Sequence, residues 1–379
     1  MSPVRIADRI VLGARRGAGL PAAVLALVAL LFALAGCGGS SGGGGETAAA
    51  AERDPLGSGR AVTLAFGGDV HFEEGLKARL ASDPKTALEP LKELLKGADV
   101  AMVNLETAVT ADGACPVRQA KQFTFATTPS AFTALRAAGV TVTTMANNHG
   151  LDCGRAGLEQ TLAADARAGL PLIGVGADRD AAFTPYTVEK NGQRIAIVAA
   201  SQVLDDNLKG EWMATDDQPG MATARDLGGL VRAVREARAE ADTVVVYLHW
   251  GTELQQCPNT QQPQLARLLA TAGADLLVGS HAHVLLGAGY LGRTYVAYGL
   301  GNLAFYAKEP PRTSSGVLHV TVTGRRIDRA AWRPALISDG APIPLTGTDR
   351  TAAIRDWRRL RDCTGLARQA SGDYLSTEK

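Results

Sequence analysis

From residue 60 onward, short runs of apolar residues alternate with stretches whose apolar positions recur every three or four residues. Val62-Thr63-Leu64-Ala65-Phe66 reads as a buried strand, and residues 86–96 carry Leu88, Leu91, Leu94 and Leu95 at helical spacing. Residues 99–103 are strand-like; 129–138 are helical, with Gly139 as a C-cap signal; 140–144 form a strand rich in β-branched residues. Leu158, Leu162 and Ala166 mark a helix closed by Gly169, followed by strand-like runs at 172–175 and 195–199. Leu227, Leu230, Val231 and Val234 give a long helix, 244–248 a strand, 264–272 a helix and 276–278 a strand. The runs at 294–298, 317–322 and after Ile327 are strands with no helix between them. Alternation of this kind predicts an α/β fold with helices covering the sheets, and the helix-free tail predicts a mixed or a second packed sheet. No Pro/Gly-rich break interrupts residues 60–340, so one domain is expected over 59–345, followed by a polar tail, 346–379, in which Trp357 and Leu360 anchor a short helix.

The first forty residues follow another pattern. Arg5, Arg9, Arg15 and Arg16 precede an uncharged apolar run at 20–34, which ends in Leu34-Ala35-Gly36-Cys37. That is the order of a signal peptide, and its last four residues resemble a lipobox. Residues 1–36 are therefore expected to be a lipoprotein signal peptide and Cys37 the lipidated new N-terminus. The competing reading is an uncleaved anchor, for which the apolar run is short of the ~20 residues of a membrane span. Either way the chain is exported, here to the outer face of the bacterial cell membrane. Residues 37–58 are rich in Gly, Ser and Glu and read as a flexible tether.

The composition is that of a globular protein, 46% hydrophobic and 20% charged, and the net charge of +1 offers no field that would collect nucleic acid. Beyond Cys37 the cysteines are Cys115, Cys153, Cys257 and Cys363, an even number that suggests two disulfides in an exported chain. Three pairings are possible and the sequence does not choose. The expected one joins Cys115 to Cys153, clipping successive loops together, and Cys257 to Cys363, stapling the tail to the body. A thiolate metal site lacks any CxxC spacing. Arg118, Lys121 and Lys209 are scattered and read as solvated surface.

The chemistry concentrates in histidine. Of six His, five lie just beyond a predicted strand: His71, His149, His249, His281 and His283. His319 sits within a strand and reads as structural. Loops at the carboxyl ends of strands converge in α/β sheets, so residues distant in sequence can share a site there. Asp69-x-His71 and His281-x-His283 each place two donors on the same side of an extended segment. Glu106, after the second strand, could bridge two cations or be a surface acid; Asn148 could be a neutral oxygen ligand, a turn residue, or both. Mixed imidazole and oxygen donors suit Zn²⁺, Mn²⁺ or Fe better than Ca²⁺.

The ordered motifs Gly-Asp-x-His, Asn-Leu-Glu, Asn-Asn-His, His-Trp-Gly-x-Glu, Gly-Ser-His-Ala-His and Tyr298-Gly299-Leu300-Gly301-Asn302 resemble the CapA family, over about residues 62–305. That family is similar to the calcineurin-like metallophosphoesterases. The resemblance implies a four-layer, metallophosphatase-like α/β fold, a two-sheet β-sandwich flanked by helices. It implies two divalent metal ions, the first held by Asp69, His71 and His283, the second by Asn148, His249 and His281. Glu106 would bridge them where the wider superfamily has Asp. His149 would be the catalytic imidazole that protonates the leaving group. Asn104, Trp250 and Asn302 would line the substrate pocket, although core packing and turn formation would equally account for Trp250 and Asn302. The function implied is poly-γ-glutamate capsule biosynthesis or processing, by hydrolysis or transfer on an anionic cell-surface polymer. Membrane capsule-synthesis proteins would be partners, since no long apolar span follows residue 37. The alternatives are an extracellular metallophosphoesterase acting on a phosphate ester, and a non-catalytic polymer-binding or export scaffold.

Overall fold

The computed structural model describes residues 55–371. The signal segment, Cys37 and the tether up to residue 54 lie outside the described residues.

Eight strands form the first sheet: β1 (Val62–Val70), β2 (Val100–Leu105), β5 (Val142–Thr144), β6 (Leu172–Ile173), β15 (Asn302–Ala304), β16 (Ser314–Thr323), β17 (Arg326–Ser338) and β18 (Ala341–Pro344). Its order is β18-β17-β16-β1-β2-β5-β6, with β15 beside the end of β1. The second sheet contains β8 (Tyr186–Lys190), β9 (Gln193–Ser201), β11 (Thr243–Trp250), β12 (Leu276–His281), β13 (Ala288–Leu291) and β14 (Thr294–Ala297), ordered β13-β14-β12-β11-β9-β8. Two ribbons pair β3 (Ala108–Val109) with β4 (Ala126–Thr127), and β7 (Val175–Gly176) with β10 (Gly220–Met221). The helices are α1 (Gly75–Ser82), α2 (Leu91–Leu95), α3 (Ser130–Ala138), α4 (Gly154–Ala168), α5 (Arg179–Phe183), α6 (Lys209–Trp212), α7 (Leu227–Glu240), α8 (Gln261–Ala272) and α9 (Gly347–Arg359).

The period-two pattern of the strands explains the layering. Val62, Leu64 and Phe66 of β1 meet Ile195, Ile197, Val245, Tyr247 and Val278 of the second sheet in one cluster. Ala65 and Val103, on the opposite face of the first sheet, pack with Leu91, Phe132, Leu135 and Leu158 of the helices. Val244, Val246 and Leu248 point the other way from β11 and pack with Leu230, Val234, Leu265 and Leu269. Three apolar interfaces thus separate four layers, helix–sheet–sheet–helix. Each fully buried Leu, Ile, Val or Phe contributes about 1.5–3 kcal/mol. The Tyr247 hydroxyl crosses the central interface and donates to Gly67 O at 2.8 Å, tying β11 to β1.

The helix predicted over 86–96 is shorter, Leu91–Leu95, because Pro90 cannot continue a helix from before it and instead opens a new one. His319 is a buried structural residue whose Nε2 donates to Leu94 O at 2.7 Å. The cysteines pair as Cys115–Cys153 and Cys257–Cys363, with Cα separations of 4.5 and 5.7 Å. Among the described residues no helix is long and apolar enough to cross a membrane.

Candidate metal centre

The parallel strands deliver polar side chains at their carboxyl ends. Register sets Asp69 of β1 beside both Asn104 of β2 and Asn302 of β15. It sets His249 of β11 beside Ser280 of β12, and Trp250 beside His281. Gly68 is required here: a Cβ would collide with the backbone carbonyl of Gly301, so only glycine lets the β1 end and the chain before β15 approach.

A buried cluster results. Asp69 Oδ1 accepts from Asn104 Nδ2 at 2.8 Å, and Oδ2 accepts from the backbone N–H of His281 at 3.1 Å. His249 Nε2 stands 2.7 Å from Asn148 Oδ1, 3.1 Å from His281 Nδ1 and 3.4 Å from Glu106 Oε1. His283 Nδ1 is 3.5 Å from Asp69 Oδ2, and its Nε2 is 3.9 Å from Glu106 Oε1. Two donor sets emerge, Glu106–His249–His281 and Asp69–Glu106–His283, with Glu106 common to both. A third, Glu253–His281–His283, reaches out to an exposed carboxylate. His281 and His283 both have positive φ, 95° and 56°, an unfavourable backbone held in place where donors must converge.

Glu106 is fully buried, and neither of its oxygens has a hydrogen-bond partner. Burial and then the neighbouring Asp69 push its carboxyl well above the usual range, against the pull of His283 and Lys121. Burial lowers the imidazoles: His249 to about 3, and His71 and His281 well below their ordinary value. For His283, burial is outweighed by Glu106, Asp69 and the hydrogen bond to Asn302, so its pKa is raised. A buried carboxylate without a donor is costly. Surrounded by imidazole lone pairs, it forms a donor set that fits a cation and little else.

Beside this cluster stands His149, buried, with Nδ1 2.6 Å from Asp152 Oδ2. Asp152 also accepts from the Phe125 backbone at 2.6 Å and from Lys121 Nζ at 2.7 Å. Burial lowers His149 to about 4, against the opposing effect of Asp152. Lys121 is not surface: its side chain is 8% exposed, donates to Asn148 O and lies over the Trp212 ring at 4.9 Å. Asp152 did not stand out in the sequence either. Its one signal there is an acid three residues beyond His149, the reach of one turn.

Other sequence-derived residues move to different places. His71 flanks the cluster without joining either donor set. Its ring sits among Phe125, Phe305 and Tyr306, and both its nitrogens face backbone amides, those of Glu73 at 3.1 Å and Tyr306 at 3.3 Å. Trp250 is core rather than pocket: alternation turns it away from His249 into the helix-facing cluster, where Nε1 donates to Tyr298 O at 2.9 Å. Asn104 and Asn302 are fully buried behind the donors. Asn104 Nδ2 is 3.2 Å from His249 Nδ1, and Asn302 Oδ1 is 2.8 Å from His283 Nδ1, so both orient imidazoles instead of facing a substrate. Arg312, another residue the sequence did not single out, lies near His71 and Tyr306 with its Nε buried and unpaired.

Residues 63–307 match the family described as bacterial capsule synthesis protein PGA_cap. PGA biosynthesis protein CapA of Bacillus subtilis is 29% identical over 289 residues, covering 75% of this chain and 74% of that protein. Capsule biosynthesis protein CapA of Bacillus anthracis is 33% identical over 220 residues, 56% of this chain and 52% of that protein. Among solved structures, a putative 5′-nucleotidase from Staphylococcus aureus superposes with a TM-score of 0.45 at 13% identity, over 80% of this chain and 58% of that one.

Proposed function

Because the chain belongs to the bacterial capsule synthesis protein PGA_cap family, we propose that it is an exported lipoprotein, anchored through Cys37, that hydrolyses or transfers γ-glutamyl polymer at the cell surface. Membrane capsule-synthesis proteins would be its partners. The observation that carries the catalytic part is Glu106, a buried carboxylate without a hydrogen-bond donor and common to two donor sets. One divalent cation would be held by Asp69, Glu106 and His283, a second by Glu106, Asn148, His249 and His281. Cations held there would polarise the substrate's oxygen and acidify an attacking water.

The chain's own residues do the rest. Asn104, Ser280 and Asn302 fix the ring orientations of His249 and His283. Asp152 holds the Nδ1 edge of His149, which leaves Nε2 for the substrate. His149 is neutral at pH 7, so its Nε2 can take a proton from the attacking water and pass it to the leaving nitrogen as the amide bond breaks. Arg312, which bonds Tyr306 and keeps a buried Nε without a partner, suits an anionic group on the substrate.

The test pairs metal content with turnover on the full-length protein, using poly-γ-glutamate and p-nitrophenyl phosphate. The expected result is about two metals per chain and shortening of the polymer. His149→Gln should retain the metals and lose about 10²–10⁴-fold in rate. Phosphate release without polymer shortening would transfer the site to the phosphoesterase reading. No metal after reconstitution, or unchanged turnover in His149→Gln, would end the catalytic one.

A further inference from the structure

The whole chain is nearly neutral, with a net charge of +1, yet residues 349–368 carry Arg350, Arg355, Arg358, Arg359, Arg361 and Arg368 against Asp349, Asp356 and Asp362. Five of these arginines, Arg355, Arg358, Arg359, Arg361 and Arg368, line one open groove of about 670 Å³ with Asp362. Their local partners do not neutralise them. Asp356 serves two, lying 3.1 Å from Arg355 and 3.8 Å from Arg359. Arg361 Nε donates to Ala288 O at 2.6 Å, a neutral partner. Among the described residues Arg358 and Arg368 have no carboxylate partner. The helix dipole accounts for cations in the last turn of α9, hence for Arg358 and Arg359, but not for Arg361 and Arg368 beyond its end.

The Cys257–Cys363 disulfide joins the loop that carries Glu253 to the turn that carries Arg361. That turn is therefore held against the body of the fold. One small anion would need one guanidinium; a row of them fits a chain of repeated carboxylates. All of the arginines lie outside the segment matched to the family, residues 63–307.

We propose that this groove is a second binding site, separate from the metal centre, which holds an extended polycarboxylate strand. The identity of the polymer rests on the capsule reading; the site's charge and shape do not.

The test uses fluorescently labelled poly-γ-glutamate of graded length and measures Kd on the full-length protein. Arg355, Arg358 and Arg368 are exchanged together for Gln, and in a second variant for Lys. With exposed pairs of ordinary strength, the Gln variant should lose roughly tenfold in affinity for long chains. Its binding should also lose most of its salt sensitivity, while melting temperature and metal content stay unchanged. The Lys variant should recover much of the affinity. Equal Kd values in the wild type and the Gln variant would overturn the groove and leave the metal centre untouched. Polymer binding through the arginines with no turnover of any polymer would leave the groove standing and defeat the catalytic reading. Arginine-dependent binding to vesicles of anionic phospholipid, without polymer binding, would overturn the proposal by making this face a membrane surface.

Discussion

Glu106 concentrates the energetic conflict in this molecule. As a carboxylate it is buried among Asp69, His249 and His283 with no donor for either oxygen. Exchange for Gln removes the charge and gives His249 a donor within reach. Glu106→Gln is expected to bind no more than one metal and to lose the thermal shift that metal produces. Metal-free, it should melt at or above the wild type, by roughly 2–4 °C for each kcal/mol of relieved burial. Differential scanning fluorimetry with and without chelator reads both effects, and a metal-free variant that melts well below the wild type would contradict this account. Residues of this kind were legible in the sequence because an acid or imidazole just after an apolar run has few structural uses. Asp152, Lys121 and Arg312 were not legible: each lies on a loop or a helix-start turn whose path no local pattern sets. For Trp250 the sequence left pocket lining and core packing open, and strand alternation, which turns it to the other face from its motif neighbour His249, puts it in the core.

Among the elements, the parallel strands were readable from their β-branched runs, whereas the ribbons β3–β4 and β7–β10, two residues per strand, leave no periodic trace. What the sequence could not supply is how the loops are held. Cys115–Cys153 fastens the loop between β3 and β4 to the start of α4, four residues beyond His149. That loop carries Lys121 and Phe125, the partners of Asp152. In the chain-entropy picture, opening a ring of this span, a sequence separation of 38, costs about 3–4 kcal/mol. Cys115→Ser with Cys153→Ser should therefore lower the melting temperature by on the order of 10 °C. It should reduce turnover further than it reduces metal content, because the loop holds His149 through Asp152, whereas it reaches the proposed cation ligands at Asn148, through Lys121. Equal losses of metal and turnover would show that this loop instead holds the cation ligands.

At the scale of the whole molecule, the site is assembled from both halves of the sandwich. Asp69, Glu106 and Asn148 come from strand ends of the eight-stranded sheet; His249, His281 and His283 come from the six-stranded one. The order of motifs was visible in the sequence, but not this division. It depends on long-range pairing such as Leu64 with Val320, which no local pattern encodes. A cation bound by both groups would tie the sheets together, adding about 4 kcal/mol at a thousandfold excess over Kd. The metal-free protein should respond to pH with a definite sign. His249, His149, His71 and His281 all titrate lower in the fold than the 6.5 of an unfolded histidine, the first two at about 3 and about 4. The unfolded chain takes up these protons first, so stability is full above 6.5 and declines as the pH falls from there towards 4. Glu106, with its raised pKa, opposes this: its contribution is full below the ordinary 4.5 and is lost as the pH rises. His283 and Asp165, whose pKa values are raised as well, also oppose it, and His319, lowered by burial, adds to the other side. The five lowered imidazoles set the net direction, so the midpoint in urea should fall from pH 7 to pH 5 in the chelated protein. Glu106→Gln removes an opposing group and should steepen that fall, whereas a flat profile in both proteins would mean that the histidines are not buried together as the donor cluster requires.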